Sequence, residues 1–463
     1  MRTQRIRRNR HAAIVGLVTG ALAGVAAVTL SGAAVAQRAA VAALEPYIEA
    51  THLPPLLTLR GERVELRFDV HCVSASEAVP DAACDAAGSL FVRAGDGGPF
   101  QELALTGDPD AEEGRYRIAV PDAIARSPRG FSYYAVLRDR ASGATTTLPA
   151  GGSAAPQRSL TLDRPVEAAI GTHEFGRTRR ASSRVVDAAW GSGPDEVGLE
   201  QGRNLGPIGG SSFDVADDGT VHVLDEANRR ILLWHAGARV PERVPVAING
   251  TLADMSVASD GTIHVLETTG GPDRSQLLRR FGPQGAAQES SPVDERASQV
   301  RIAADGFPVV LQQTSGQWLS TADASGSLSL PAQRRSGRAG RPLRAGGEAI
   351  VLRRDNEVRV ALVGGGSVRS WRVTSATPLA EVQLAEPLGS RLLLVVRVFS
   401  DAQDEFVGLV LGDKGIVDRF SLDSADWAET SALSRFRLAG SSLYQLGSTP
   451  SRVFVDRFDL EVR

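Results

Sequence analysis

Residues 213–224, FDVADDGTVHVL, return almost unchanged at 255–266 as MSVASDGTIHVL. A third copy, VRIAADGFPVVL, follows at 300–311. Each copy places a short apolar run on either side of an Asp-Gly pair. Glycine adopts positive φ without strain, so the pattern predicts two antiparallel strands joined by a tight turn.

Weaker copies of the same pattern continue to the end of the chain. They centre on Gly346-Gly347, Gly389 and Gly440, which gives six centres roughly 40 to 50 residues apart. Repeats of this length are typical of the four-stranded blades of a β-propeller, whereas parallel solenoids have shorter repeats. The sequence therefore predicts a propeller over 185–463 with six blades, five or seven being the alternatives. We expect 185–190 to supply the outer strand of the last blade and close the ring.

Two further segments flank the first copy. These are 190–194, WGSGP, and 225–231, DEANRRI. Together with the first two copies they resemble the NHL-type repeats of six-bladed propellers, closely over 190–285, less closely to 326, and only in position beyond it. The resemblance implies that a ligand binds over the central channel, on the face formed by the loops between the second and third strands of each blade.

The preceding part of the chain has strands of a different spacing. Residues 64–70, VELRFDV, and 115–120, RYRIAV, alternate apolar and polar side chains, as half-buried strands do. We predict a β-sandwich over 54–165 and a linker over 166–184. The segment RGFSYYAV at 129–136 resembles the late strands of fibronectin-type and immunoglobulin-like domains of bacterial surface proteins.

The N-terminus has the pattern of an export signal. Residues 1–36 hold five arginines, all within the first ten residues, and no acidic residue. An uncharged stretch from Ala12 to Leu30 and the small-x-small site Ala34-Val35-Ala36 follow these arginines. The stretch is also long enough for an uncleaved membrane anchor, that is, an N-terminal apolar helix. Both alternatives predict a secreted or cell-surface protein that touches the membrane only through this segment.

Cys72 and Cys84 are the two cysteines of the chain. In an oxidising compartment an even number of cysteines favours a disulfide, which we predict between them. Two buried thiols are the alternative.

The charge of the chain argues against one class of partner. Beyond residue 36 the sequence holds 46 basic and 54 acidic side chains, and the basic ones are arginines apart from Lys414. A mildly acidic protein is not expected to bind nucleic acid. We expect a monomer whose partner is another protein or an anionic polymer of the cell envelope.

Candidate binding residues follow from the predicted loop face and from an arginine-rich connection between the third and fourth repeats. The first group consists of Asp225, Arg229, Arg230, Glu267 and Asp273. The second consists of Arg334, Arg335, Arg338, Arg341 and Arg344, five fixed positive charges that suit an anionic ligand.

His222 and His264 occupy equivalent positions of neighbouring repeats. Converging histidines bind divalent metals, but a half-buried packing position explains them as well. We predict no cofactor, with a divalent metal at these two residues as the alternative.

No catalytic motif identifies a nucleophile or an acid–base pair, so catalytic residues are not assigned. The sequence predicts a non-catalytic extracytoplasmic binding or protein-interaction module that uses the loop face of the propeller. The alternative is a metal-dependent lyase or hydrolase with its site at the channel mouth, an activity found among NHL-like propellers.

Overall fold

A computed structural model describes residues 47–73, 86–107, 114–201, 206–249, 252–268, 276–293, 296–313, 316–322, 327–328, 337–431 and 434–460. Nearly all of them lie in strands, turns and loops of one unit, Leu44–Arg463. Within these ranges no helix is long and apolar enough to cross a membrane. The predicted export segment, 1–36, lies outside the described residues, as does Cys84.

The first part of the chain, 47–162, is built from ten described strands and two short helices, numbered in chain order. They are β1 (Tyr47–Thr51), β2 (Leu57–Leu59), β3 (Glu65–Val73), β4 (Ala86–Ala94), β5 (Gln101–Ala104), β6 (Thr106–Gly107), β7 (Arg115–Ala119), α1 (Asp122–Ala125), β8 (Phe131–Asp139), β9 (Thr145–Leu148), a 3-10 helix (Gly152–Ala154) and β10 (Gln157–Leu162).

These strands form two sheets that share one core. One has the order β1-β3-β7-β6, and the other has the order β2-β10-β8-β4-β5 with β9 paired to β8. Leu66, Phe68 and Val70 alternate along β3 and are buried against Leu90 of β4 and Tyr133 of β8. The period-2 pattern at 64–70 thus marks the buried face of β3, while an immunoglobulin-like identity stays a prediction.

The rest of the chain forms six sheets, named here I to VI in chain order. Sheet I contains β13 (Ser212–Val215), β14 (Val221–Asp225), β15 (Arg230–Trp234) and β16 (Glu242–Pro245). Sheet II contains β17 (Asp254–Val257), β18 (Ile263–Glu267), β19 (Gln276–Phe281) and β20 (Ala287–Val293). Sheet III contains β21 (Ala297–Ile302), β22 (Pro308–Gln312), β23 (Gln317–Ser320) and β24 (Gly337–Arg338).

The last three sheets have the same up-and-down order, and two of them recruit an earlier strand. Sheet IV contains β25 (Arg341–Pro342), β26 (Glu348–Arg354), β27 (Glu357–Gly364), β28 (Ser367–Ser375) and β11 (Val166–Gly171). Sheet V contains β29 (Leu379–Leu388), β30 (Arg391–Phe399), β31 (Asp404–Gly412) and β32 (Gly415–Asp423). Sheet VI contains β33 (Phe436–Ala439), β34 (Ser442–Thr449), β35 (Arg452–Asp459) and β12 (Ser183–Ala189).

The repeat centres seen in the sequence are the turns between the first and second strands of these sheets. Gly219, Gly261 and Gly306 have φ of 84°, 83° and 81°, the left-handed region that glycine adopts without strain. The corresponding glycines of sheets IV, V and VI also have positive φ. The turn residues therefore predicted the repeat correctly in sheets I to VI.

The six sheets close into a ring, the arrangement of a β-propeller. The first strands of sheets I, II and III lie side by side, as do those of sheets V, VI and I, and β29 of sheet V contacts β26 of sheet IV. Sheets III and IV line one cavity together. β12 pairs antiparallel with β35, with Val186 opposite Val455, so the expected closing strand is present. Within the predicted linker, 166–171 is a strand too, because β11 pairs parallel with β28.

The first part of the chain packs on sheet IV. Leu57 and Leu162 share an apolar cluster with Ile350 and Ala361. Beside this cluster, the buried Arg359 guanidinium donates to Glu62 at 2.5 Å and to the Leu57 carbonyl at 3.1 Å. The two parts are thus joined by apolar contact and by a largely buried ion pair.

Candidate functional site

Each first strand places one side chain at the same level of the channel. Asp214 lies opposite His222, and Ser256 lies opposite His264, in equivalent registers of sheets I and II. The positions that correspond in the other sheets are set by the same strand pairings. The six residues, called the channel ring, are Asp214, Ser256, Arg301, Arg341, Glu386 and Arg437, and all six line one cavity.

Three acidic side chains around the channel each have an arginine partner. Arg344 donates to Asp214 at 2.9 Å. Arg301 donates to Asp254, which lies one level deeper on β17, at 2.6 Å. Arg341 contacts Glu386 at 2.7 Å.

The two aspartates also accept hydrogen bonds from backbone N–H groups of the first strands. These strands form the inner edges of the sheets and have no neighbouring strand toward the channel. Asp214 accepts the N–H of Val257 at 2.8 Å, and Asp254 accepts the N–H of Val300 at 2.9 Å. Although burial alone raises the pKa of a carboxyl, the arginines and these N–H groups hold the pKa of both aspartates below the usual value. Both are therefore ionised at neutral pH.

Arg437 is the fourth arginine of this group, and it has no carboxylate of its own among the described residues. Its side chain is 10% exposed and lies 3.5 Å from Asp214 and 3.6 Å from Asp254. Nη1 donates to the Phe436 carbonyl, but Nη2 makes no hydrogen bond within the described structure. Burial, and then the charge of Arg301, lowers the pKa of Arg437 to about 10.

The cavity has a volume of about 510 Å³ and extends from the channel ring along sheets III, IV and V. Leu311 and Trp318 line it from sheet III, and Leu343 and Val351 line it from the apolar cluster that sheets IV and V share. Leu56, from the first part of the chain, completes the wall.

The channel ring lies toward the turns between first and second strands, and the cavity continues from it to Gly316 and Arg353, near the loops between second and third strands of sheets III and IV. Arg344, at the turn of sheet IV, is 44% exposed, whereas the deeper Asp214 is 6% exposed. The sequence placed ligands on the opposite face, where the loops between second and third strands lie. Of the predicted binding residues, Arg341 and Arg344 line this cavity.

On the predicted loop face, the structure gives the candidate residues internal partners. Arg230 pairs with the buried Asp225 at 2.8 Å, and the same carboxylate accepts the N–H of Gly198. Glu267 is fully buried and pairs with Arg279. Arg229 is exposed with φ of 53°.

Four remaining candidates cannot be placed as side chains. Asp273, Arg334 and Arg335 lie outside the described residues. Arg338 belongs to β24, where its backbone pairs with Trp318.

His222 and His264 are buried on β14 and β18. Burial lowers the pKa of both, to about 4 for His264, so they are neutral at pH 7. Their Nδ1 atoms have no hydrogen-bond partner in the described structure. The described residues contain no group of three or more potential ligands that could hold a metal ion.

Glu226, on the loop after β14, has a raised carboxyl pKa. Burial raises its pKa to about 7, despite hydrogen bonds from the N–H groups of Leu252 and Ala253. Those hydrogen bonds connect the loop of sheet I to the segment before sheet II, so the carboxyl has a structural role.

A second buried cluster was not foreseen. His173, between β11 and β12, contacts Glu405 of sheet V at 2.8 Å, and Arg419 approaches the other ring nitrogen at 3.3 Å. Glu405 also accepts the N–H of Gly176 at 2.5 Å. The cluster fixes the segment between the two recruited strands to sheet V.

Comparison with known proteins assigns no family. No model of a known protein family matches the chain, and no curated protein matches it. Among solved structures, it is similar to a functionally unknown protein from Desulfotomaculum acetoxidans (11% identity, TM-score 0.33, 54% of this chain and 89% of that one). It is also similar to a catalytically inactive virginiamycin B lyase from Staphylococcus aureus with quinupristin (12% identity, TM-score 0.31, 56% of this chain and 98% of that one). A third similar structure is a protein from Lactobacillus plantarum (11% identity, TM-score 0.31, 80% of this chain and 91% of that one).

Proposed function

We propose that this chain is a non-catalytic extracytoplasmic binding protein whose ligand site is the cavity at the channel ring. The proposal keeps the function class predicted from the sequence and moves the site from the loop face to the channel. One observation carries it: six equivalent positions, one from each sheet, meet at a cavity of about 510 Å³. Cavities of this size suit a small ligand or the end of a polymer chain.

The chemistry of the lining favours binding over catalysis. Asp214 is held in its ionised form by Arg344 and Arg437, so it is a weak base. Arg341 forms an ion pair with Glu386 at 2.7 Å. Fixed charges of this kind orient a ligand without exchanging protons with it.

The finer predictions belong to the same proposal. We propose that 1–36 exports or anchors the chain, that the two-sheet part is an immunoglobulin- or fibronectin-like sandwich, and that the ring is of the NHL type. The sandwich holds the propeller at a fixed distance from the membrane or wall. Its contacts with sheet IV through Arg359 support a fixed arrangement.

Thermal unfolding in the presence of a collection of small anionic, neutral and cationic compounds tests the proposal. A ligand at a hundred times its Kd adds about 2.7 kcal/mol to the free energy of unfolding. The shift should disappear in Ala345→Trp, which places a large ring at the cavity entrance. A shift that EDTA abolishes and Zn²⁺ or Ca²⁺ restores, with turnover of the compound, would instead establish the metal-dependent enzyme.

A further inference from the structure

The charges around the channel do not balance within the described residues. Arg344, Arg301 and Arg341 each have one direct carboxylate partner. Two further arginines line the cavity: Arg353, which donates to the backbone carbonyl of Leu379, and Arg437. The Nη2 of Arg437 lies within 3.6 Å of Asp254 but without a hydrogen bond to it. A buried arginine that shares its carboxylates with other arginines and leaves one nitrogen without a hydrogen bond recovers only part of its lost hydration.

We propose that the cavity binds a small amphiphilic carboxylate, with its carboxylate on Arg437 and its apolar body between sheets III and IV. This inference rests on the proposed function and names its ligand class. A carboxylate suits an arginine because two parallel N–H···O bonds match its two oxygens. One carboxylate also gives the buried Nη2 of Arg437 the hydrogen-bond acceptor that it lacks within the described structure.

The apolar body is inferred from how the sheets pack. Five of the six interfaces between neighbouring sheets contain a continuous cluster of buried apolar residues. In the described structure the interface between sheets III and IV has no such cluster, and on the sheet III side Leu311 and Trp318 line the cavity instead. Leu343 and Val351 line it from the edge of the cluster that sheets IV and V share.

Octanoate, octanamide and acetate form a matched set of probes for the purified protein. Trp318 lines the cavity, so its fluorescence reports binding, and a shift in Tm provides a second readout. We expect octanoate to bind at least tenfold more tightly than octanamide, which lacks the charge. We expect the same margin over acetate, which lacks the chain.

Two variants separate the two halves of the site. Arg437→Met should lose the preference for octanoate while binding octanamide as the wild type does. Val351→Trp should weaken the binding of octanoate at least tenfold while Arg437 stays in place. Arg452→Met, at an exposed pair with Asp187 on the outer edge of sheet VI, serves as the control and should bind like the wild type.

The outcomes distinguish this inference from the proposed function. Equal affinity of the wild type for octanoate and octanamide would overturn the role of Arg437, and equal affinity for octanoate and acetate would overturn the apolar body. Absence of binding by all three probes would overturn the inference. The proposed function then stands or falls with the wider compound collection.

Discussion

The carboxylate of Asp254 on sheet II accepts a hydrogen bond from Ser434, on the segment leading into sheet VI, at 2.5 Å. It also accepts the Ser212 hydroxyl of sheet I at 2.8 Å and the Arg301 guanidinium of sheet III. One fully buried side chain therefore connects four of the six sheets across the ring.

Replacing Asp254 with alanine should destabilise the protein strongly. The change leaves Arg301 buried without its carboxylate and removes the acceptor of two hydroxyls, which costs about 3–5 kcal/mol. Urea denaturation measures this loss. Asp187→Ala, which breaks the exposed pair with Arg452, is the matched control and should cost less than about 1 kcal/mol. Similar losses for both variants would show that Asp254 contributes no more than a surface pair.

Arg437→Met should lower the free energy of unfolding of the ligand-free protein by less than Arg301→Met does. The variant removes a charge that lies 3.5 Å from Asp214 and 3.6 Å from Asp254, but each aspartate keeps a closer arginine partner. Arg301→Met, in contrast, should cost about 3 kcal/mol because it leaves Asp254 without its direct partner. Both are read from the same denaturation curves, and a larger loss for Arg437→Met than for Arg301→Met would contradict the charge inventory.

Stability should fall as the pH drops from 6.5 toward 4. In the folded protein burial lowers the pKa of His264 to about 4, whereas an unfolded histidine has its ordinary value near 6.5. Between these values the unfolded chain binds the proton that the folded chain excludes. The stabilisation is complete above pH 6.5 and lost on acidification, by about 3 kcal/mol for this residue.

Denaturation curves of wild type and His264→Gln between pH 7 and 4 measure this effect. The difference in unfolding free energy between the two proteins should shrink in favour of the variant as the pH falls. Parallel pH profiles would mean that His264 titrates normally in the folded state.

Arg359→Ala should loosen the contact between the two-sheet part and sheet IV. The change deprives Glu62 and Glu357 of a shared, buried partner. We expect a loss of about 3 kcal/mol or a second, earlier transition in calorimetry. Arg354→Ala removes the exposed arginine that also contacts Glu62 and should change stability by less than about 1 kcal/mol. Unchanged calorimetry for Arg359→Ala would show that apolar packing alone joins the two parts.

The predicted disulfide can be tested by mass and stability. Cys72 lies on β3, and a bond to Cys84 would close a short loop, which stabilises by roughly 2–3 kcal/mol in the loop-entropy model. Protein made in an oxidising compartment should not react with a thiol reagent until it is reduced. Cys84→Ser should lower Tm by the same amount as reduction does, and reaction of the unreduced protein with the reagent would exclude the bond.

Local turn chemistry made most of the ring predictable, since Gly219 and its counterparts fix a tight turn wherever they stand. The closing strand was predicted at 185–190 and lies at 183–189. It was predictable because the alternation of apolar residues along it is also a local signal. The channel ring has no local signal. Its members differ in type, and each has its partner on another sheet.

Alignment of the repeats on their turn glycines would have found the ring. Asp214, Ser256, Arg301 and Arg341 each stand five residues before the glycine of their turn. Glu386 and Arg437 stand three residues before theirs, because the turns of sheets V and VI are shorter. The contact between Glu62 and Arg359 could not be found by such an alignment, since it joins residues 297 positions apart, in two different parts of the fold.

The pairing of β12 with β35 also sets the order of events during synthesis. Arg184 and its partner Asp456 are 272 positions apart, so β12 leaves the ribosome long before the strand that completes its sheet. Until then the nascent chain presents an open strand edge, a surface on which other chains can add by hydrogen bonding. Chains stalled before β35 are therefore the ones expected to aggregate.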